Sequence, residues 1–206
     1  MSLRLPVSLA DDMSGFDGVD AARTARLFWA AGLDAPAAAF AGAECTRLSP
    51  LLQSPKIRWQ PRDNWHLTLL FLGQSTIGQG LAMASALRAP LAALSPFAVQ
   101  LEPALWFPSL RHPLVIALPV PANAPMLALV SAVAESAREA GVPHEARPFR
   151  GHVSIARAKR GYRPRDELPP GTGHGGLRID HVALYESVSA PGGANYVPLL
   201  RLPLGG

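Results

Sequence analysis

One cysteine, Cys45, stands in a chain of 206 residues, which excludes an internal disulfide framework and any cysteine-rich zinc site. No apolar run approaches the roughly 18–20 residues needed to cross a bilayer, so no helical membrane span is expected. The stretch from Leu3 to Ala10 is short and broken by Arg4 and Pro6, and does not read as a secretory leader. Lysine is nearly missing: Lys56 and Lys159 stand against 17 arginines. So is any large excess of one charge sign, since 19 basic and 15 acidic residues leave a net +4, too mild in itself to mark a nucleic-acid binder. With 21 prolines and 18 glycines, the chain is turn-rich but short of the roughly 25–30% at which low complexity takes over. These absences leave a cytoplasmic enzyme or binding domain, of a length that suits one domain or two fused lobes.

Residues 1–23 read as an extension, because Asp11, Asp12, Ser14, Gly15, Asp17, Gly18 and Asp20 are polar turn formers without periodicity. The folded domain is expected over residues 24–206. Its first strand is expected at Arg26–Ala31. Asp34 before Pro36 predicts a capped helix to about Arg47. Short strands are expected at Ile57–Trp59 and Trp65–Leu72, the latter ended by Gly73. A second helix should open at Ser75 or Thr76 and close by about Leu91, near Pro90 and Pro96. Strands at Phe97–Leu101 and Leu114–Leu118 flank a proline-rich segment. Ala122–Ala140 reads as a helix with Leu127, Val130, Ala134 and Ala137 on one stripe and Gly141 as its stop. Strands at His152–Ala158, Leu177–Ser187 and Tyr196–Leu202 follow, the last two joined by a turn around Pro191-Gly192-Gly193. Several consecutive strands are linked by connections too short for parallel crossovers, so the expected fold class is α+β, with largely antiparallel sheets and helices outside.

The chain holds one internal echo. His66-Leu67-Thr68-Leu69 and His152-Val153-Ser154-Ile155 are both histidine, apolar, hydroxyl, apolar, 86 positions apart. On a strand, alternation puts each histidine beside its hydroxyl on one face and the apolar pair in the core. Two such strands facing a cleft offer two imidazoles and two hydroxyls to one small ligand. A neutral imidazole takes a proton from water and an imidazolium gives one to a leaving oxygen, both natural to a group of pKa about 6.5. Phosphodiester cleavage needs both transfers, and donors such as Thr68 and Ser154 for the non-bridging oxygens. Zinc is the competing use of two histidines. It normally takes three protein ligands when catalytic, and His112, His144, His174 and His181 make no ligand spacing with the pair.

The segments Asn64–Gly73 and Arg147–Arg157 resemble the paired signatures of the two-histidine phosphoesterases, and most closely the RNA 2′,3′-cyclic phosphodiesterases once called 2′-5′ RNA ligases. Arg26-Leu27-Phe28, Arg58-Trp59 and the pair Ala183–Ser187 and Pro191–Tyr196 extend the resemblance over about residues 24–204. It implies a bilobal fold with pseudo-twofold symmetry, each lobe bringing one motif to a central cleft. It also implies cofactor-free opening of a 2′,3′-cyclic phosphate by water, leaving a 2′-phosphomonoester. His66 and His152 are then the acid–base pair, with His66 taken as the acid, although the two motifs are equivalent in sequence. Thr68 and Ser154 hold the phosphate. Two departures stand out. Ser154 replaces the usual threonine, and Gly151 replaces a proline, which predicts a looser start to that strand.

Eight basic residues lie between Arg138 and Arg165 against Glu139 and Glu145, a concentration around the second motif that suits RNA phosphates. Arg150 shares the strand parity of His152, whereas Arg157 reaches the same face only if the strand bends. Phe107 and Tyr185 are candidates to stack a base, and Trp59, Trp65 and Trp106 read as core. The other four histidines read as surface or loop residues. The expected partner is an RNA end or nucleotide bearing a 2′,3′-cyclic phosphate, handled by a monomer without a membrane partner. The alternatives are an RNA-end binding or ligating protein, a cyclic phosphodiesterase of small nucleotides, and an interaction module with a dead site.

Overall fold

The computed structural model describes residues 20–144 and 148–205; most of the N-terminal extension, and Arg147 before the second motif, lie outside the described residues. The elements in chain order are β1 (Thr24–Gly32), α1 (Ala35–Leu48), β2 (Ile57–Trp59), a 3-10 turn (Arg62–Asn64), β3 (His66–Thr76), α2 (Ile77–Ala92), β4 (Phe97–Leu101), β5 (Leu105–Phe107), β6 (Val115–Pro119), α3 (Ala124–Glu139), β7 (His152–Ala158), β8 (Gly175–Ile179), β9 (His181–Ala190) and β10 (Gly193–Pro203). Eight strands form one sheet in the order β10-β9-β1-β3-β7-β6-β5, with β2 paired to β7, while β4 and β8 make a separate ribbon. Every strand pairing among the described residues is antiparallel, the α+β arrangement that the short connections demand. Both lobes therefore share one large sheet. They meet where β3 and β7 pair at Leu67 and Val153.

Local chemistry starts the helices. The Asp34 carboxylate accepts the Ala37 amide at 3.0 Å and, through its other oxygen, the Arg178 amide of β8 at 3.0 Å. One side chain thus caps α1 and anchors the ribbon. Asp34→Ala is expected to lower stability by about 0.5–2 kcal/mol, read as an earlier urea midpoint with an unchanged slope. Thr76 and Gln79 form a reciprocal capping box on α2, and Asn123 caps α3 through the Met126 amide.

Several boundaries differ from the sequence reading. β3 does not end at Gly73. It passes through that residue (φ 66°), with Leu72 left as an extra residue opposite β1, and glycine takes the left-handed conformation there without a Cβ penalty. α2 continues through Pro90 to Ala92, and only Leu91 and Ala92 of the helix follow the proline. α3 buries Met126, Leu129, Val133 and Ala137, while Leu127 is 54% exposed. Two apolar stripes one residue apart run along that helix, and only packing chooses between them. The expected strand from Leu177 is two strands in different sheets, parted at Asp180. β5 lies within the proline-rich segment, held by pairing to β6.

Candidate active site

His66 opens β3 and His152 opens β7. Along both strands the histidine and hydroxyl positions are half-buried, while Leu67, Leu69, Val153 and Ile155 are buried. The echo in sequence is also an echo in backbone. Thr68 pairs with Ala30 of β1, and Ser154 with Ala117 of β6. At the fourth motif position each strand carries one extra residue, Leu69 between the pairs Ala30–Thr68 and Trp29–Leu70, and Ile155 between Ala117–Ser154 and Ile116–Ala156. Because β3 and β7 are antiparallel about the pair Leu67–Val153, continuing that register by one residue sets His66 against Ser154 and Thr68 against His152. The two motifs thus converge on one place.

An extra residue turns a strand over, so the side chains beyond it change face. Ile155 and Ala156 are both buried, and Arg157 emerges exposed on the face of His152 and Ser154. The bend that Arg157 needed is therefore present. Its guanidinium donates to the Tyr196 hydroxyl at 3.1 Å. In β3 the equivalent bulge brings out Phe71, which is 61% exposed.

Both imidazoles are held in the same way. His66 Nδ1 donates to the Asn64 carbonyl at 2.8 Å, and His152 Nδ1 to the Arg150 carbonyl at 2.7 Å. A carbonyl only accepts, so the proton of each neutral ring sits on Nδ1 and Nε2 remains for exchange. Burial pushes His66 down to about 4 despite the Asn64 carbonyl, and the charges of Arg157 and His152 add to the effect. Burial also lowers His152, opposed by the Arg150 carbonyl and helped by the Arg150 and Arg157 charges. These mutual influences put both histidines and Arg157 in one electrostatic neighbourhood. Neither Thr68 nor Ser154 donates its hydroxyl to another group among the described residues, which leaves both to an incoming ligand.

Aromatic rings wall the imidazoles. Phe107 stacks on His152 with centroids 4.0 Å apart, and the Arg150 guanidinium lies 4.6 Å over the same Phe107 ring. Phe28 lies 4.9 Å from His66 and stacks on Tyr185 at 5.2 Å. Phe107 and Tyr185 are thus packed beside the histidines rather than standing as open platforms. Trp106 is buried, and Trp59 and Trp65 pack against the core. Gly151 is also tighter than expected: a Cβ there would come 2.5 Å from the Val120 carbonyl oxygen, so neither a proline nor a loose start fits.

Sequence reasoning missed Asn64 and Tyr196. Asn64 is buried; its Nδ2 donates to the Ala194 carbonyl at 2.7 Å and its Oδ1 accepts the Tyr196 amide at 3.3 Å. It therefore clamps the β9–β10 hairpin while its own carbonyl holds His66. Tyr196 meets His66 edge-on at 4.9 Å. A buried asparagine two residues before a motif histidine was the available signal, but its partners lie some 130 positions away in sequence. Of the other histidines, His112 and His174 are exposed, His144 bonds the Val142 carbonyl, and His181 opens β9 beside Asp180. Among the described residues no three or more His, Cys, Asp or Glu side chains gather as metal ligands would, and no helix is long and apolar enough to cross a membrane.

The sequence profile of the 2′-5′ RNA ligase superfamily matches residues 37–188. Among solved structures, E. coli LigT complexed with 3′-AMP superposes with a TM-score of 0.72 at 23% identity, covering 89% of this chain and all of that one. The same protein complexed with ATP gives 0.69 at 23% identity, covering 89% of this chain and all of that one. The TT0787 protein of Thermus thermophilus gives 0.70 at 26% identity, over 88% of this chain and 98% of that one. No functionally curated protein matches.

Proposed function

The chain belongs to the 2′-5′ RNA ligase superfamily, and on that footing we propose that it hydrolyses RNA 2′,3′-cyclic phosphate ends to 2′-phosphomonoesters without a metal. One observation carries this reading: two imidazoles with Nδ1 tied to a carbonyl, each beside a hydroxyl, on neighbouring strands with the same bulge. In the reaction a water oxygen attacks phosphorus and its proton passes to Nε2 of one histidine. The bond from phosphorus to the 3′ oxygen breaks, and that oxygen takes a proton from Nε2 of the other. Thr68 and Ser154 donate to the non-bridging oxygens, where negative charge grows. The likeness to a protein crystallised with 3′-AMP supports a ribonucleotide as the reacting end.

His66 is taken as the acid and His152 as the base, an assignment that the equivalent motifs leave open. A 5′-hydroxyl in place of water would make the same chemistry a 2′-5′ ligation, as the superfamily description suggests.

Incubation with an oligoribonucleotide ending in 2′,3′-cyclic phosphate, in excess chelator, tests the reading. A 2′-phosphate product is expected at an unchanged rate. Loss of turnover with chelator, or a 3′-phosphate product, contradicts it. A 2′-5′-linked product on adding an RNA acceptor with a free 5′-hydroxyl would instead support the ligase.

A further inference from the structure

Beside the first motif lies a cavity of about 210 Å³, lined by Arg58, Gln60, Asn64 and the hairpin backbone from Gly192 to Asn195. It is smaller than the roughly 300–1,000 Å³ of a whole small-molecule site, so it suits part of a larger ligand. Three features are unusual in an ordinary surface groove. Arg58 of β2 is the register partner of Arg157 of β7, so the two side chains share one face of the sheet, that of His152. Like charges directly opposite each other destabilise a strand pair, and among the described residues neither guanidinium has a carboxylate partner. Gln60 is only 8% exposed, yet its Nε2 has no hydrogen-bond partner among the described residues. Finally, Arg58 is pressed onto Gly193 so closely that a Cβ there would fall within its guanidinium. Its charge is therefore held against the hairpin and not waving in solvent.

We propose that Arg58, opposite Arg157 and beside the Gln60 groove, holds a backbone phosphate of single-stranded RNA next to the reacting terminal nucleotide. An anion between the two guanidiniums removes their repulsion and gives each a charge-assisted partner. The geometry comes from β2 continuing along the same edge of β7 that β3 leaves: Gln60 donates its amide to the Ile155 carbonyl, and the chain returns to that edge at Leu67. The phosphate groove and the histidines thus share one strand edge. This inference deepens the proposed function and rests on it for the identity of the strand, making the substrate an RNA chain rather than a free cyclic mononucleotide.

The test compares kcat/KM for a short oligoribonucleotide ending in 2′,3′-cyclic phosphate with that for a mononucleoside 2′,3′-cyclic phosphate, in wild type, Arg58→Ala and Arg58→Glu. The oligonucleotide is expected to lose about tenfold or more with Arg58→Ala, at least fivefold more than the mononucleotide, and more still with Arg58→Glu. The slope of log KM against log salt should lose about 0.7 unit for the oligonucleotide. Equal losses on both substrates, or none on the oligonucleotide, overturn the proposal. In parallel, fluorescence anisotropy measures binding of a labelled oligoribonucleotide ending in 3′-phosphate, with and without ATP as competitor. If no variant or wild type turns over a cyclic phosphate, the proposed function fails, and this arm still decides the groove. Weaker binding by Arg58→Ala upholds it. Equal binding, no binding by wild type, or an ATP affinity that falls as much as the RNA affinity overturns it in favour of no RNA site or a small polyphosphate site.

Discussion

Replacing either His66 or His152 by alanine is expected to cut turnover of a 2′,3′-cyclic phosphate by about 10²–10⁴-fold, with a double variant scarcely worse than the poorer single one. Non-additivity arises because the two imidazoles act on one transition state: once either proton transfer is missing, the other has nothing to complete. Melting temperatures of both variants should stay close to wild type, because both rings are half-buried and not core. The pair also separates its own roles. An aryl phosphodiester releases p-nitrophenolate, which needs no protonation on departure. The variant lacking the acid should therefore recover most of its rate on that substrate, and the variant lacking the base should not. Recovery by His66→Ala fixes His66 as the acid, and recovery by His152→Ala fixes the reverse. Normal rates in both single variants would remove the two-histidine mechanism altogether.

From pH 8 downwards, kcat/KM for the cyclic phosphate should rise as the pH falls, by nearly tenfold per unit at first, and should still be rising below the ordinary histidine value of about 6.5. The sign comes from the histidines. The proposed mechanism needs one imidazolium and one imidazole in the free enzyme, but burial and the Arg157 charge push both groups below their ordinary value, His66 to about 4. Above both values, each unit of alkalinity removes nine-tenths of the singly protonated form. Below about 4, the second ring also protonates and the base is lost, giving the acid limb. An anionic phosphodiester in the cleft favours the charged ring, so the limb of kcat should lie at higher pH than that of kcat/KM. A rise that levels off at about pH 6.5 would show that the free-enzyme histidines are not depressed. The same shift acts on the fold with a definite direction. The unfolded chain takes up protons near 6.5 where the native His66 does not, so stability falls as pH drops from about 6.5 towards 4.

Much of this arrangement was legible in one dimension. Alternation placed His66 with Thr68 and His152 with Ser154, and the structure keeps that parity. Asp34 before Pro36 marked the start of α1 correctly, since capping is a local matter. What failed needed contacts distant in sequence. The choice between the Leu127 and Met126 stripes of α3 depends on which neighbour the helix meets. The break at Asp180 is invisible because the apolar pattern continues on both sides while the chain changes sheets. Strand bulges carry no residue signature either, so Arg157 had the wrong parity on paper and the right one in space. The clamp from Asn64 to the hairpin spans too great a sequence separation for any spacing rule.

The bulges at Leu69 and Ile155 have a consequence for direction. A cleft whose two halves were identical would accept a ribose cyclic phosphate either way round, and would expel the 2′ and 3′ oxygens without preference. The proton-transfer groups are repeated in both halves and cannot supply that preference. The side chain that emerges just after each bulge is not repeated: an exposed phenyl ring, Phe71, on one side and a guanidinium, Arg157, on the other. A nucleotide has the same asymmetry, a flat base at one end and an anionic chain at the other. Under the proposed reaction, the two side chains at which the internal repeat is broken match the two unlike ends of the nucleotide.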